Sequence, residues 1–386
     1  MIQLEQKTPP QIAESVAKRI QKRQVGTLAL YQNRLAAFSY SDQWLADGFS
    51  ISPFSLPLEK RVFIPDWEPF DGIHGIFNDS LPDGWGRLLV DRMLLRQGIE
   101  PDTLSVLDRL AIVGSGGMGA LTYEPEAFIS DAPLLPSDYD EISAECERIL
   151  NSEISENDKK NLDAIFAAGG SSGGARPKVF VKIDDEDWII KFPSSVDSKE
   201  IGRQEYEYNQ CAKNCGITIN YFQLFTSKKC SGYFGTKRFD RNYLGADRVL
   251  MASASALLET SHRIPNLDYN TLCLLTLQLT KNNAEVEKLF RLMCFNVFAH
   301  NRDDHSKNFS WLYDENNHQW QLSPAYDLTF SNSIGGEHAT TIDGEGKNPS
   351  MENILAVAQK AGIKKSKATE IAQAVKETVQ KELGEL

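Results

Sequence analysis

The stretch that most limits what this chain can fold into runs from residue 283 to residue 323. An apolar stripe, Val286, Leu289, Phe290, Met293 and Val297, gives way at once to NRDDHSKN and then to the aromatic run FSWLYDENNHQWQLS. The i, i+3, i+4, i+7 spacing of the stripe predicts a buried helix, and the second run predicts a hairpin. Between two elements bound for a core lie two aspartates, a histidine, a lysine and two asparagines within eight residues. Such a loop reads as a metal site, a phosphoryl-transfer loop or a polar turn, and the rest of the chain decides among them.

At 386 residues the chain suits two or three domains. Acidic residues outnumber basic ones by 53 to 41, a net charge of -12, which argues against a surface built to hold nucleic-acid phosphates. Any DNA contact is expected to run through a partner. The N-terminus has no apolar signal core, and no stretch approaches the roughly 20 apolar residues that cross a bilayer, so a cytoplasmic protein is expected. The six cysteines are scattered without C-x-x-C pairs, which reads as free thiols in a reducing compartment, not a zinc site.

Along the chain, residues 11–23 read as a short amphipathic helix, followed by strands in VGTLALYQ, LAAFSYS and FSISPFSLPL. Helical spacing begins after the Pro-Asp-Gly turn, with Leu88, Leu89, Met93 and Leu94 as its apolar face, and SVLDRLAIV predicts another helix. Gly114, Gly116 and Gly119 carry the spacing of a dinucleotide fingerprint. That fingerprint needs a strand before it and a helix after it, and here the order is reversed, so a tight structural turn is expected. SDYDEISAECERILNSE, within the polar residues 126–163, predicts a surface helix at a domain boundary. A Gly/Ser loop, a strand, an acidic turn and a second strand follow. In the second strand Trp188, Ile190 and Phe192 share a face, leaving Lys191 on the other. Residues 200–213 predict a helix, SGYFGTKRFDR a strand, and DRVLMASASALLE the start of a mainly helical region ending in NILAVAQKAGI and KATEIAQAVKETVQKEL.

Asp303 and Asn308 stand in the D-x-x-x-x-N spacing of a protein-kinase catalytic loop, with Arg302 before the aspartate. An aspartate so placed can accept the proton of an attacking hydroxyl, while the asparagine reaches a magnesium ion on nucleotide phosphates. Asp327, just past the hairpin, is placed to give that ion its carboxylate. Gly169, Gly170, Gly173 and Gly174 allow backbone amides close to phosphate oxygens, Lys191 is the strand lysine, and Glu205 is its expected helix partner, with Glu200 and Glu207 as rivals. Singly these signals are common: Gly/Ser runs are usually linkers, and strand lysines usually mark solvated edges. Their joint order favours kinase chemistry. A zinc or two-metal hydrolase using Asp303, Asp304 and His305 lacks any H-E-x-x-H or Cys/His pairing and leaves Lys191 without a role. Asp304 is expected to be solvated or to brace the loop, and His305 either to hold the loop or to touch nucleotide phosphate.

SSGGARPK, IIKFP, KRFDR, FNVFAHNRDDHSKNFSWL and PAYDL, with VGTLALY, FSLPL, LPDGWGR and GGMGAL upstream, resemble the HipA family of serine/threonine kinases, typically toxins of toxin–antitoxin modules. The resemblance covers about residues 25 to 386. It implies an α+β fold, a protein-kinase-like two-lobed core with a small β-rich N-terminal subdomain and a mostly helical C-terminal lobe. The implied division is an extension at 1–24, an N-terminal subdomain at 25–125, a connecting helix region at 126–163 and the kinase-like core at 164–386.

By the same resemblance Asp303 is the catalytic aspartate, Asn308 and Asp327 are magnesium ligands and Lys191 is the ATP-binding lysine. Gly173, Gly174, Ala175, Arg176 and Lys178 belong to the phosphate loop, Lys237, Arg238 and Phe239 to the hinge that meets adenine, and His305, Lys307 and Tyr326 to segments lining the nucleotide. Ser171 matches the family's autophosphorylated serine, with Ser172 as a second acceptor; phosphate there adds about -1.5 to -2 charges on a loop meant for ATP and is expected to switch the enzyme off. The implied cofactors are ATP and Mg2+, and the implied partner is a helix-turn-helix, HipB-like antitoxin that binds operator DNA. A protein substrate such as an aminoacyl-tRNA synthetase is also implied. The rival reading is a catalytically weak kinase-like module that serves as antitoxin partner and co-repressor; the retention of Asp303, Asn308, Asp327 and Lys191 argues against it.

Overall fold

A computed structural model describes residues 15–20, 23–127, 135–136, 138–151, 164–166, 168–170, 173–243 and 246–384. The chain forms two compact units, Met1–Val179 and Phe180–Leu386. In the first, five antiparallel strands, β1 (Ser15–Ile20), β2 (Arg23–Tyr31), β3 (Leu35–Tyr40), β4 (Val62–Phe63) and β5 (Thr122–Glu124), lie in the order β4-β3-β2-β1-β5. VGTLALY and LAAFSY pair with Leu28 opposite Phe38, and both side chains are fully enclosed. The Phe38 ring meets Tyr40 at 4.8 Å and Phe77 at 5.2 Å between centroids. Gly26 is required by this packing, because a Cβ there would lie 2.2 Å from the Ser39 carbonyl oxygen.

Two expectations fail in this unit. Residues 15–20 of the expected helix are strand β1, paired with β2 on one edge and β5 on the other. Helix propensities differ by about 0.7 kcal/mol or less per residue, and two ladders of backbone hydrogen bonds outweigh that. FSISPFSLPL is not a strand; it forms only an isolated bridge between Ser52 and Leu56, since Pro53 and Pro57 remove ladder donors. Instead the Tyr40 hydroxyl donates to the Leu56 carbonyl at 2.7 Å.

The helix after the Pro-Asp-Gly turn is Gly84–Arg96, burying Trp85, Leu89, Val90, Met93 and Leu94. Helix Val106–Val113 opens with a capping box between Ser105 and Asp108. The glycine-rich turn lies between this helix and β5, the reverse of the dinucleotide order. Helix Tyr139–Leu150 buries Ile142, Cys146 and Ile149.

The second unit holds a sheet in the order β6-β7-β9-β8, with β6 Lys178–Ile183, β7 Glu186–Lys191, β8 Phe222–Phe225 and β9 Tyr233–Lys237; β6 begins in the last residues of the first unit. Helix Ile201–Asn214 connects β7 to β8. The expected helix in DRVLMASASALLE is instead the strands Ala246–Arg248 and Leu250–Ser253, with only Ala254–Leu257 helical. The physical reason is distant in sequence: Leu250–Ser253 pairs with Ser310–Asp314, Ala252 opposite Trp311. Ser310–Asp314 and Gln319–Leu322 form the predicted hairpin. Helices Tyr269–Thr280 and Asn283–Phe298 are capped by the Asp268 and Asn282 side chains, and Met351–Lys360 and Lys365–Leu383 complete the unit.

All five members of the predicted stripe, Val286 to Val297, are buried, and Phe290 is fully enclosed. Phe290→Ala is expected to lower the unfolding free energy by about 3–5 kcal/mol. Leu274→Ala, at a side chain 55% exposed, should stay within about 0.5 kcal/mol of wild type. Urea unfolding compares the two.

Candidate active site

β7 buries Trp188 and Ile190 on one face and ends at Lys191. The Lys191 Nζ donates to Glu205 Oε1 at 2.5 Å and to Asp327 Oδ1. Glu205 projects from helix Ile201–Asn214 and is 3% exposed. The rivals Glu200 and Glu207 are both exposed, and Glu200 comes no nearer than 3.9 Å to Arg203. Burial opposes the charge on Lys191, but attraction to Asp327 and Glu205, reinforced by both hydrogen bonds, wins and holds the ammonium above the ordinary lysine range. Asp327 adopts a left-handed backbone, φ 52°, which aspartate tolerates better than most residues.

The polar loop begins where helix Asn283–Phe298 ends and His300 turns the chain with φ 49°. Asp303 points outward, its side chain 64% exposed, 4.0 Å from His305 Nε2. His305 holds the loop: its Nδ1 accepts from the Lys307 N–H at 3.2 Å, capping the turn Ser306–Asn308. The Asn308 side-chain amide donates to the Asp303 carbonyl at 2.7 Å, which ties together the two ends of the D-x-x-x-x-N spacing. Tyr326 joins the loop to Asp327, since its hydroxyl donates to the Lys307 carbonyl at 2.6 Å and lies 2.6 Å from Ser310 Oγ.

The Phe239 ring packs on Tyr326, centroids 5.5 Å apart. Lys237 and Arg238 turn to protein partners. Lys237 Nζ lies 3.2 Å from Glu186, its N–H donates to Tyr221 and its carbonyl accepts from Asn220. Arg238 grips the fully buried Asp240 with two hydrogen bonds, 2.9 and 2.8 Å.

Gly173, Gly174, Ala175, Arg176 and Lys178 fall in the first unit, whereas Lys191, Glu205, Asp303, Asn308 and Asp327 fall in the second. Gly174, with φ 83°, donates its N–H to Asp83 and accepts from the Trp85 N–H at 2.9 Å. The Lys178 ammonium donates to the Gly173 carbonyl at 2.6 Å. Ser171 and Ser172 lie outside the described residues.

Several neighbours of these residues carry no sequence signal of their own. The His262 ring lies 5.4 Å from that of His305. Tyr269 and His338 meet Asp304 from 35 and 34 residues away. Asp83 sits in LPDGWGR, but nothing local links it to a glycine 91 residues later.

A sheet lysine paired to a helix glutamate, ahead of a mainly helical region carrying the Asp303–Asn308 loop, belongs to a protein-kinase-like fold, here preceded in the chain by a unit of mixed helix and sheet. The chain is a member of the HipA family: residues 18–124 match the HipA N-terminal domain and residues 170–383 the HipA-like C-terminal domain. It is similar to the HipA chain of the Shewanella oneidensis toxin–antitoxin complex of HipA, HipB and operator DNA, with a TM-score of 0.68 and 17% identity over 94% of this chain and 90% of that one. Y4dM of Sinorhizobium fredii, provisionally named a kinase, is 25% identical over 79% of this chain and 74% of its own length. No helix among the described residues is long and apolar enough to cross a membrane.

Because the Lys191 pKa is raised by folding, the stabilisation from its ion pairs is complete below the ordinary lysine value of 10.5 and fades as pH rises through the folded pKa. Glu205→Gln removes one attracting charge while the burial stays. Lys191 in that variant is expected to titrate at lower pH than in wild type, read by 13C NMR of labelled lysine side chains. An unchanged titration would separate the Lys191 charge from Glu205.

Proposed function

We propose that this chain is an ATP- and magnesium-dependent serine/threonine protein kinase acting as the toxin of a toxin–antitoxin pair. The observation that carries the reading is the Lys191 ammonium held between Glu205 and Asp327, with the residue before Asp327 bonded into the Asp303–Asn308 loop.

Lys191 binds nucleotide phosphate oxygens, and Glu205 keeps it charged and aimed. Phe239 and Tyr326 offer the adenine ring an aromatic surface. Asp303 accepts the proton of the acceptor hydroxyl as its oxygen bonds to the γ-phosphorus and the bond to the ADP oxygen breaks. Asp327 and Asn308 supply a carboxylate and an amide oxygen, hard donors that fit magnesium, an ion that takes few protein ligands and keeps water and phosphate oxygens for the rest. Bound there, the ion supplies neutralisation of phosphate charge.

Ser171 and Ser172 are the proposed autophosphorylation sites, where added negative charge on the nucleotide loop turns the enzyme off. A helix-turn-helix antitoxin is the proposed partner. Membership of the HipA family supports it, as does the net charge of -12, which suits a chain that reaches DNA through a basic companion.

With ATP and magnesium, the purified chain is expected to gain phosphate on Ser171 or Ser172, mapped by intact mass and phosphopeptide analysis. Asp303→Asn should cut incorporation by about 100-fold or more, and Asp327→Ala should abolish it. An unphosphorylated chain that binds ATP yet incorporates nothing would sink the proposal.

A further inference from the structure

Asp304 has no part in the chemistry just described, yet it is 1% exposed beside a neighbour that faces solvent. Its Oδ2 accepts from the Tyr269 hydroxyl at 2.8 Å and pairs with His338 Nδ1 at 2.9 Å. Its Oδ1 accepts from the Thr340 N–H at 3.2 Å, and its carbonyl accepts from the Thr340 hydroxyl at 2.5 Å. The Tyr269 hydroxyl donates to Asp304, and His338 does so in the tautomer that carries its proton on Nδ1.

The donor chain returns to the loop. The Tyr269 hydroxyl accepts from the Asn296 side-chain amide at 2.9 Å, and the Asn296 oxygen accepts from the Asn301 amide at 2.9 Å. Between these anchors the Arg302 carbonyl accepts from the Ala339 N–H at 3.1 Å. The Asn301 N–H also donates to the Asn296 carbonyl at 2.9 Å, so the chain is tied at residues 301, 302 and 304, while the side chain of Asp303 between them is 64% exposed. The anchors are themselves held: Thr340–Thr341 pairs in parallel with Leu267–Asp268, the residues leading into helix Tyr269–Thr280. Burial raises the Tyr269 pKa well above its ordinary value, and the Asp304 charge raises it further, so the phenol stays a donor across the working pH range.

A buried charged group is a poor source of net stability, because the cost of desolvation rivals what its partners return. Its value lies in directed hydrogen bonds to fixed atoms. We infer that Asp304 is a positioning residue: with Tyr269, His338 and Thr340 it fixes the backbone on both sides of Asp303, so that the base meets the acceptor hydroxyl in one geometry. This rests on the phosphoryl-transfer reading above.

The test uses the whole 386-residue chain carrying Asp304→Asn, Tyr269→Phe or Thr340→Val, with Ile354→Val as a core control outside the network. Each is measured for kcat, KM for ATP, melting temperature and hydrogen exchange at amides 302–308. Misplacement of a reacting group by about 1 Å can cost about 100-fold in rate. Asp304→Asn is therefore expected to lower kcat by about that factor with KM for ATP little changed, and to speed exchange at 302–308. Thr340→Val should do the same to a smaller degree. The control should lose melting temperature without either change. Should Asp304→Asn fail to fold, Tyr269→Phe and Thr340→Val carry the comparison. Folded network variants with wild-type kcat, or with wild-type exchange across 302–308, would overturn the inference. A wild-type chain that transfers no phosphate would refute the kinase reading separately, and exchange at 302–308 would still decide whether Asp304 fixes the loop.

Discussion

One ammonium group has to be satisfied by carboxylates 14 and 136 residues away in the chain. Lys191 has little contact with water, and a charge so placed is tolerable only when paired and hydrogen-bonded. That requirement draws together the end of β7, the buried face of helix Ile201–Asn214 and the loop following the hairpin. Asp327 reaches the lysine from a left-handed backbone, and Tyr326 beside it is bonded to the polar loop. The site is therefore one connected structure, and the pairing that neutralises Lys191 also sets where Asp327 stands.

The two adjacent aspartates show how local geometry assigns opposite tasks. Asp303 and Asp304 lie outside helix and strand, between His300 and the turn Ser306–Asn308. The Asp303 side chain meets solvent and that of Asp304 meets the interior. The inner aspartate is met by Tyr269, His338 and Thr340, while the outer one keeps the exposure that its proposed role as proton acceptor needs. The density of polar residues in NRDDHSKN thus fits two uses: some belong to the proposed site and others hold its backbone.

Much of this is legible in the amino-acid sequence. The buried helix, the hairpin after the loop and the lysine on a strand all follow from periodicity and motif order, because each is a local pattern with one satisfactory environment. The failures were equally physical. Residues 15–20 and 250–253 carry patterns compatible with helix or strand, and partners far along the chain, β5 in one case and Ser310–Asp314 in the other, decided for strand. FSISPFSLPL, expected as a strand, forms only the Ser52–Leu56 bridge, since Pro53 and Pro57 remove ladder donors.

The sequence alone determined which residue types stand at chemically demanding spacings, the family to which the chain belongs and the elements that carry the site, since those depend on neighbours a few residues apart. Only the tertiary structure decided that Glu205 takes Lys191 while Glu200 and Glu207 stay in solvent. It also decided that Lys237 and Arg238 turn to protein partners while Phe239 meets Tyr326, and that Asp304 is enclosed by Tyr269, His338 and Thr340. Those choices follow from which groups lose water together when distant segments pack, and no local pattern records that.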